Sequence, residues 1–431
     1  MDVASRMQLP YTLSHMAPLA RRPLKPRAAH DGVRQASHLR ALNLERVLGV
    51  VMDRPAPFTR TELIRATGLS APTIGQLTGQ LIRLGLIRDM GTGPSRGGRR
   101  PSFMDFNARH GVVAGLHLGS SRTRLAVADL RGDTLLHRTI ETPPGRAPEA
   151  LLASVATELR KLLREVDVPP SNLLAVGAGA PGAVDRTRGV VMALAPNLKG
   201  WSNVPMGAIL RRTLDAPVIV DNDMNFAVLG EHWRGGARDH ETCVFISVGT
   251  GIGAGILVNG ELLHGHNFLA GEIALMCMGP QYVETDFGAR GCLETLAGLR
   301  ALAARWPHSA DQDDESWIRA LFEAWQNGDR RAARAVEETA TLIGIAIANL
   351  SVVLDPSLIV VGGALAAQAP AFVGEVRRVV ARIVPTPSPM VESVLGEDAS
   401  LWGSVLVAMS DARDQLRRRL RRPARAAAVP A

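Results

Sequence analysis

The chain has 431 residues, of which 46% are apolar, and this length and composition predict a globular protein with two or three domains. Its three cysteines are far apart and odd in number, which argues against a disulfide framework and for a reducing cytoplasm. The longest apolar stretch, residues 342–354, is too short and too interrupted to cross a membrane, and the N-terminus lacks the apolar core of a signal peptide. We therefore expect a cytoplasmic protein with no membrane partner.

The net charge of +8 is unevenly distributed along the chain. Residues 1–110 contain 17 Lys and Arg against 7 Asp and Glu, and residues 411–431 contain 7 Arg against 2 Asp, so the segment between them is net acidic. A basic N-terminal region attached to an acidic body predicts binding to a polyanion. For the basic C-terminal tail alone, arginine-rich coding is an equally good explanation.

The first 38 residues are rich in Pro, Arg, Ala and His, show no stable hydrophobic period and are expected to be disordered. A helix then follows that carries its apolar residues on one face and stops before Pro55 and Pro57. The residues of this face are Leu44, Val47, Leu48, Val51 and Met52.

The next segment has the signals of two short helices joined by a tight turn. Thr59 and Glu62 predict a capping box at the start of the first, and Gly68 suits its left-handed end. Ser70 then caps the next helix, with Pro72 tolerated in its first turn. This order predicts a helix-turn-helix whose second helix enters the major groove of DNA.

The segments "LGLIRDM" and "PSFMDF" flank a glycine-rich run with arginines, which predicts a wing that reaches phosphates or a minor groove. The candidate DNA-binding residues are Thr73, Gln76, Gln80 and Arg83 on the outer face of the helix and Arg96, Arg99 and Arg100 in the wing. Gly75 and Gly79 are unusual inside a recognition helix. The alternative is a compact helical cap with a solvated arginine loop.

From residue 111 onward, strands alternate with helices, which predicts an α/β fold. Glycine-rich turns follow several strands, and one of them is the turn of a predicted hairpin at residues 119–121. Such turns let backbone amides approach a phosphate. Asn222 and Asp223 follow a buried strand, at the end where ligands bind in α/β sheets. Together these features predict a two-lobed phosphotransferase scaffold.

These residues resemble the ROK family (repressors, open reading frames and sugar kinases) of the actin-like ATPase superfamily. The resemblance rests on "GAGAPGAVD", "APNLKGW", "DNDMNFAVLGE", "VGTGIGAGILVNGEL", "AGEI", "GCLE" and "IVVGGAL", and "GPSRGGRRPSFMDF" is similar to the wing of the family's xylose and N-acetylglucosamine repressors. It implies an N-terminal winged helix-turn-helix followed by a two-lobed actin-like ATPase fold. The expected parts are a disordered basic N-terminus (1–38), a DNA-binding domain (39–108), a sugar-kinase-like effector domain (109–410) and a basic tail (411–431).

The resemblance also implies a set of sugar-binding residues, with the turn at Pro181 and Gly182 lining the same pocket. The set consists of Asn197, Asn222, Asp223, Glu272 and Glu294. In the kinases, the carboxylate at the position of Asp223 is the general base. A carboxylate beside a sugar hydroxyl accepts its proton during phosphoryl transfer, but it also simply hydrogen-bonds the hydroxyl in a binding protein. Asp223 is therefore a candidate for a base that has lost its catalytic role.

Two departures from the family's pattern lead us to expect no bound cofactor. The kinases begin with an Asp-x-Gly-Gly-Thr phosphate loop, whereas this chain has His117, Ser120 and Ser121 at the acid, second glycine and threonine positions, so ATP binding is doubtful. The family's structural zinc site is replaced by Leu275, Thr285 and Phe287, and only Cys292 remains. We expect packing by the apolar residues to replace the metal. A substitute site is an alternative and would use His264, His266, Cys277 and Cys292.

Three hypotheses of function follow. The first is a transcriptional regulator of carbohydrate metabolism genes, which we expect to be a repressor. It binds operator DNA as a homodimer or homotetramer and a sugar or sugar phosphate as effector. Because Leu275 removes a histidine that touches the sugar in the kinases, the effector is either a different sugar or more weakly held. The second hypothesis is an active ATP-dependent sugar kinase with a fused DNA-binding head. The third is a constitutive DNA-binding protein whose body serves only for oligomerisation.

Overall fold

The computed structural model describes residues 28–92, 102–307 and 313–421. Its N-terminal part, which we call the head (residues 28–106), is a winged helix-turn-helix. The elements of the head are α1 (Ala28–Met52), β1 (Phe58–Thr59), α2 (Arg60–Thr67), α3 (Ala71–Arg83), β2 (Ile87–Thr92) and β3 (Ser102–Phe106). The strands form a sheet in the order β1-β3-β2. The tip between β2 and β3, with Arg96, Arg99 and Arg100, lies outside the described residues.

Local sequence signals set the ends of the head's helices as predicted. The Thr59 hydroxyl accepts a bond from the Glu62 backbone N–H at 3.4 Å, and the Glu62 carboxylate accepts one from the Thr59 N–H at 2.7 Å. Gly68 ends α2 with φ of 68°, a left-handed conformation that favours glycine. The Ser70 hydroxyl then caps α3 by accepting from the Thr73 N–H. The predicted apolar face of α1, from Leu44 to Met52, is buried.

The first lobe (residues 112–222) is built on a five-stranded sheet in the order β10-β7-β4-β5-β6. Its strands are β4 (Val112–Leu118), β5 (Arg122–Asp129), β6 (Thr134–Glu141), β7 (Leu173–Ala180) and β10 (Val218–Asn222), with a small hairpin of β8 (Ala183–Asp185) and β9 (Val190–Ala193). Helices α4 (Pro148–Glu165) and α5 (Met206–Leu214) cover one face of the sheet, and α6 (Asp223–Arg234) leads away from it. The hairpin predicted around residue 120 is β4 and β5.

The second lobe (residues 243–392) repeats this topology. Its sheet has the order β13-β12-β11-β14-β15, which corresponds to β6-β5-β4-β7-β10 of the first lobe, with two antiparallel pairs followed by two parallel pairs in each. Its strands are β11 (Cys243–Val248), β12 (Ile252–Val258), β13 (Glu261–Leu262), β14 (Leu358–Gly362) and β15 (Met390–Glu392). Its helices are α7 (Cys292–Ala297), α8 (Leu299–Arg305), α9 (Asp314–Gln326), α10 (Arg330–Leu354), α11 (Ala364–Gln368) and α12 (Pro370–Ile383), and the chain continues into α13 (Ala399–Arg421). The predicted α/β, two-lobed architecture is confirmed.

Helix α10 is long and apolar enough to cross a membrane by length and composition, the one such helix in the described ranges. Of its most apolar window, 56% is buried, and residues from Ala332 to Leu350 lie in the core of the second lobe. This burial is typical of the core helix of a folded domain.

Helix α13 joins the head to the first lobe. It lies on the sheet face opposite α4 and α5, where Gly177 of β7 allows so close an approach that a Cβ would collide with the Ser404 carbonyl oxygen. Gly403 of α13 allows a similar approach to α6, where a Cβ would collide with the Phe226 carbonyl oxygen. The Ser404 hydroxyl donates to the Leu116 carbonyl at 3.1 Å. Farther along, α13 residues such as Met409 share one hydrophobic cluster with α1 residues such as Leu48.

Two boundaries differ from the sequence prediction. Helix α1 begins at Ala28, inside the segment that was expected to be disordered, while residues 1–27 lie outside the description. Residues 411–421 were expected to be part of a tail, yet they are the last turns of α13. There Arg413 donates to the Met52 carbonyl and its guanidinium lies 3.4 Å from the Asp53 carboxylate. Part of the basic charge therefore binds the head itself, a long-range pairing that local sequence patterns do not contain.

Candidate functional site

A cleft of about 970 Å³ lies between the two lobes. The ends of β4, β10 and β11 and the glycine turns at Gly249 and Gly363 surround it. All the sugar-binding candidates from the sequence line this cleft: Asn197, Asn222, Asp223, Glu272 and Glu294, together with the predicted turn at Pro181 and Gly182. Residues distant in sequence therefore converge on one space, of a size that suits a small ligand.

Asn222 and Asp223 are held at the junction of β10 and α6. The Asn222 side-chain oxygen caps α6 by accepting from the backbone N–H groups of Met224, at 2.8 Å, and Asn225, at 3.2 Å. Its amide nitrogen donates to the Gly182 carbonyl at 2.9 Å, which ties the junction to the predicted turn. This cap fixes the first turn of α6 and directs the Asp223 carboxylate into the cleft.

Glu272 and Glu294 bring two more carboxyl groups to the same space. Burial raises the pKa of Glu272 to about 7, and the charges of Asp223 and Glu294 add to this effect. Burial also raises the pKa of Glu294, although a 3.0 Å bond from the Ile252 backbone N–H partly offsets it. The other oxygen of Glu294, Oε1, is buried and has no hydrogen-bond partner among the described residues. A ligand with hydroxyl donors would satisfy these acceptors.

His117 lies at the end of β4 and faces this acidic group. Its Nε2 is 3.7 Å from Asp223 Oδ2, and its side chain is 13% exposed. Its other ring nitrogen, Nδ1, is buried and no hydrogen-bond partner for it lies in the part of the chain that the structure describes. The residue at the family's acid position is therefore a histidine beside the candidate base.

The turn between β4 and β5 does not fit the role of a nucleotide phosphate loop. His117 stands where an acid would organise Mg²⁺, and Ser120 adds a side chain where the family has its second glycine. On the adjacent strand, Arg124 is held by an ion pair with Glu397, and its Nε lies 3.4 Å from Asp398 Oδ1. This arginine, which sequence reasoning missed, links the loop strand to the segment preceding α13.

The residues at the family's zinc site do not fit a metal either. Across residues 28–92, 102–307 and 313–421, no group of three His, Cys, Asp or Glu side chains could hold one. Cys292 is buried and its sulfur accepts from the Met278 N–H, while His264 bonds Asp221 instead. The expectation that Leu275 packs in place of the metal is wrong, because this side chain is 39% exposed and lines the cleft.

Phe287, also expected to replace the metal by packing, stacks edge-on against Tyr282 with ring centroids 5.9 Å apart.

An interaction between His264 and Asp221, which the sequence did not reveal, joins the lobes. His264 Nε2, in the second lobe, is 2.8 Å from Asp221 Oδ2 in the first. The other oxygen of Asp221 accepts from the Asn225 amide at 2.9 Å and from the Asn222 N–H at 2.8 Å. The spacing of residues in the sequence does not predict this contact, because it depends on how the lobes pack.

The DNA-binding candidates of α3 occupy its outer side. Gln76 and Arg83 are exposed, and Thr73 and Gln80 are half-buried. The Arg40 guanidinium donates to the Gln80 side-chain oxygen at 3.1 Å, which places an additional cation beside this helix. A Cβ at Gly75 would meet no atom of the described residues within 4 Å, so packing against these parts of the head does not require this glycine.

Comparison with known proteins shows that this chain is similar to a family model, to repressors and sugar kinases, and to a solved transcriptional regulator. The model of the ROK family matches residues 113–410. The xylose repressor of Caldicellulosiruptor bescii is 30% identical over 353 residues, which cover 79% of this chain and 88% of the repressor. The glucokinase of Halalkalibacterium halodurans is 32% identical over 262 residues, which cover 58% of this chain and 79% of the kinase. A solved ROK family transcriptional regulator, a homologue of the E. coli MLC protein, has a TM-score of 0.70 at 23% identity and covers 89% of this chain and 99% of its own.

The carboxyl cluster gives a pH-dependent prediction. The pKa of Glu272 is about 7 in the folded protein and 4.5 ordinarily, so between these pH values the folded protein binds more protons than the unfolded chain. The contribution of the protonated side chain to stability is therefore lost as the pH rises from 4.5 to about 7. Because Gln does not ionise, the free energy of unfolding of Glu272→Gln should rise relative to that of the wild type as the pH increases from 4.5 to about 7. The rise should be on the order of 3 kcal/mol at most and should not continue above about pH 7.

Chemical denaturation without ligand at several pH values measures this difference. The matched control is Glu261→Gln, which removes an exposed carboxyl group from β13 and should change stability by less than about 0.5 kcal/mol. A constant difference between Glu272→Gln and the wild type from pH 4.5 to 8 would show that Glu272 is not the titrating group.

Proposed function

The chain belongs to the ROK family, and from this premise we propose that it is a transcriptional repressor whose DNA binding is controlled by a sugar in the cleft. The observation that carries the proposal is the combination, in one chain, of a winged helix-turn-helix and a cleft lined by carboxylates and amides. Similarity to the xylose repressor over most of both chains supports it. The operator that such a protein binds lies in the cytoplasm.

In this proposal α3 lies in the major groove of the operator. Gln76 and Thr73, in its N-terminal half, contact base edges, while Arg83 and the neighbouring Arg40 contact phosphates. No packing contact accounts for the absence of a side chain at Gly75, so close approach of the helix to DNA is a reason for it. The wing residues Arg96, Arg99 and Arg100 would add contacts to the backbone or minor groove.

We assign the sugar to the carboxylate-rich part of the cleft. Asn197, Asn222, Asp223, Glu272 and Glu294 would hold its hydroxyls. Buried carboxylates are costly unless they accept hydrogen bonds, and the unpartnered oxygen of Glu294 is an acceptor that a hydroxyl would satisfy. The ligand therefore stabilises a group that is otherwise unsatisfied.

Helix α13 provides the route from the cleft to the DNA. Its second residue, Ser400, lines the cleft, and Arg413 and Arg417 near its other end contact Asp53 at the end of α1. If the lobes close on a sugar, α13 and the head move as one unit, and in a homodimer or homotetramer the two recognition helices no longer match half-sites one helical turn apart. The sugar thus lowers operator affinity.

An active sugar kinase is the second candidate, favoured by the similarity to the glucokinase and by the position of Asp223 in the cleft. His117 and Ser120 oppose it, since they remove the acid and the glycine of the phosphate loop. We expect the chain to act as a binding protein in which Asp223 has no catalytic role.

A coupled assay of ADP release over a panel of hexoses and pentoses separates the two functions. We expect wild type and Asp223→Ala to give the same background rate with every sugar, because the chain lacks the loop that positions ATP and its metal. A sugar-dependent rate of about 1 s⁻¹ or more that disappears in Asp223→Ala would identify an enzyme.

The wing gives a prediction about DNA. Arg99→Ala combined with Arg100→Ala should weaken binding to operator and unrelated DNA alike and reduce the slope of log K against log salt by about 1.8, because two phosphate contacts are lost. Footprinting on the DNA flanking the gene finds the operator, and fluorescence anisotropy at several salt concentrations measures the slope. The control pair Arg211→Ala and Arg212→Ala removes exposed arginines of α5 in the first lobe. An unchanged slope in the wing variant would remove the wing from the DNA interface.

A further inference from the structure

His117 has an unsatisfied imidazole inside the cleft. Its Nε2 lies 3.7 Å from Asp223 Oδ2, which is longer than a hydrogen bond, and its buried Nδ1 has no partner. Buried polar side chains in folded proteins are nearly always hydrogen-bonded, so a group of this kind calls for an explanation. Neither ring nitrogen of His117 therefore makes a hydrogen bond to a residue that the structure describes.

The surroundings of His117 indicate which kind of atom could supply a bond. An oxygen about 2.8 Å from both His117 Nε2 and Asp223 Oδ2 is geometrically allowed, because these two atoms are 3.7 Å apart. A hydroxyl can accept from the imidazole N–H and donate to the carboxylate at the same time. An ether or carbonyl oxygen could accept but could not donate, and would leave the carboxylate unpaired.

The charge of the site favours a hydroxyl over a phosphate as the ligand group that His117 and Asp223 bind. Asp223, Glu272 and Glu294 all line this part of the cleft, and the three are close enough for the first and last to affect the ionisation of Glu272. The arginine on the neighbouring strand, Arg124, is already paired with Glu397 and Asp398. A phosphate carries close to two negative charges at neutral pH and would lie against these three carboxyl groups, so a neutral hydroxyl suits this part of the cleft better.

We propose that His117 is an effector-binding residue that, together with Asp223, holds one hydroxyl of an unphosphorylated sugar. The residue at the position of the phosphate-loop acid thus contacts the ligand directly. It selects a free hydroxyl at the point where a kinase would place the phosphate acceptor. This inference rests on the proposed function, and it narrows the effector from a sugar or sugar phosphate to a neutral sugar.

Calorimetric titration of the full chain tests the proposal with D-glucose, D-xylose, D-glucose 6-phosphate and the monodeoxy analogues of D-glucose and D-xylose. We expect a free sugar to bind at least about tenfold more tightly than the phosphate, and one deoxy analogue of that sugar to bind about tenfold more weakly. In His117→Ala the penalty for that one missing hydroxyl should fall to less than about threefold, while the penalties for the other positions stay unchanged.

Two further variants guard against loss of structure. His117→Gln retains an N–H donor and should keep part of the discrimination, and His266→Ala removes an exposed histidine of the second lobe and should behave as wild type. If His117→Ala shows the same pattern of penalties as wild type, or if the phosphate binds as tightly as the free sugar, the inference is wrong while the proposed function stands. If no sugar in a wider panel of hexoses and pentoses binds the wild type, both fail together.

Discussion

The hydrophobic cluster that α13 shares with α1 and the first-lobe sheet is the constraint on which the rest of the structure depends. The head does not sit on a linker, because Leu48 of α1 and Met409 of α13 belong to one buried cluster together with Val113 and Ala128 of the sheet. Burial of apolar surface is the main favourable term in folding, so separating the head from the body would expose this cluster to water. A displacement of α13 must therefore be transmitted to α1.

The cleft combines features that a binding protein needs with the loss of features that a phosphotransferase needs. Three carboxyl groups converge without a metal-organising acid in the adjacent turn, and His117 faces Asp223 at 3.7 Å. Raised pKa values at Glu272 and Glu294 mean that burial is costly for these groups, and hydroxyl donors from a sugar would reduce this cost. In the proposed function, the same residues would provide the affinity for the sugar and the response of the protein to its binding.

Local signals predicted much of the fold, whereas contacts between distant segments were not predictable. The capping box of Thr59 and the left-handed Gly68 depend on neighbouring residues only, so the sequence specified the helices of the head. The family motifs predicted that the candidate sugar-binding residues converge, and these residues do line one cleft. The pairing of Arg413 with Asp53 and the exposure of Leu275 were missed, because they depend on how α13 and the loop after Glu272 pack in three dimensions.

The most direct test of the account is operator affinity with and without saturating sugar, measured by fluorescence anisotropy in the wild type and in Arg413→Ala combined with Arg417→Ala. We expect sugar to weaken operator binding by about tenfold or more in the wild type and by a factor at least about twofold smaller in the variant, because the loss of both ion pairs with Asp53 leaves only the hydrophobic cluster to join α13 to α1. The variant should still bind both ligands. Arg418→Ala combined with Arg419→Ala, on the exposed side of α13, should respond as wild type. Equal operator affinities of the wild type with and without bound sugar would contradict the account.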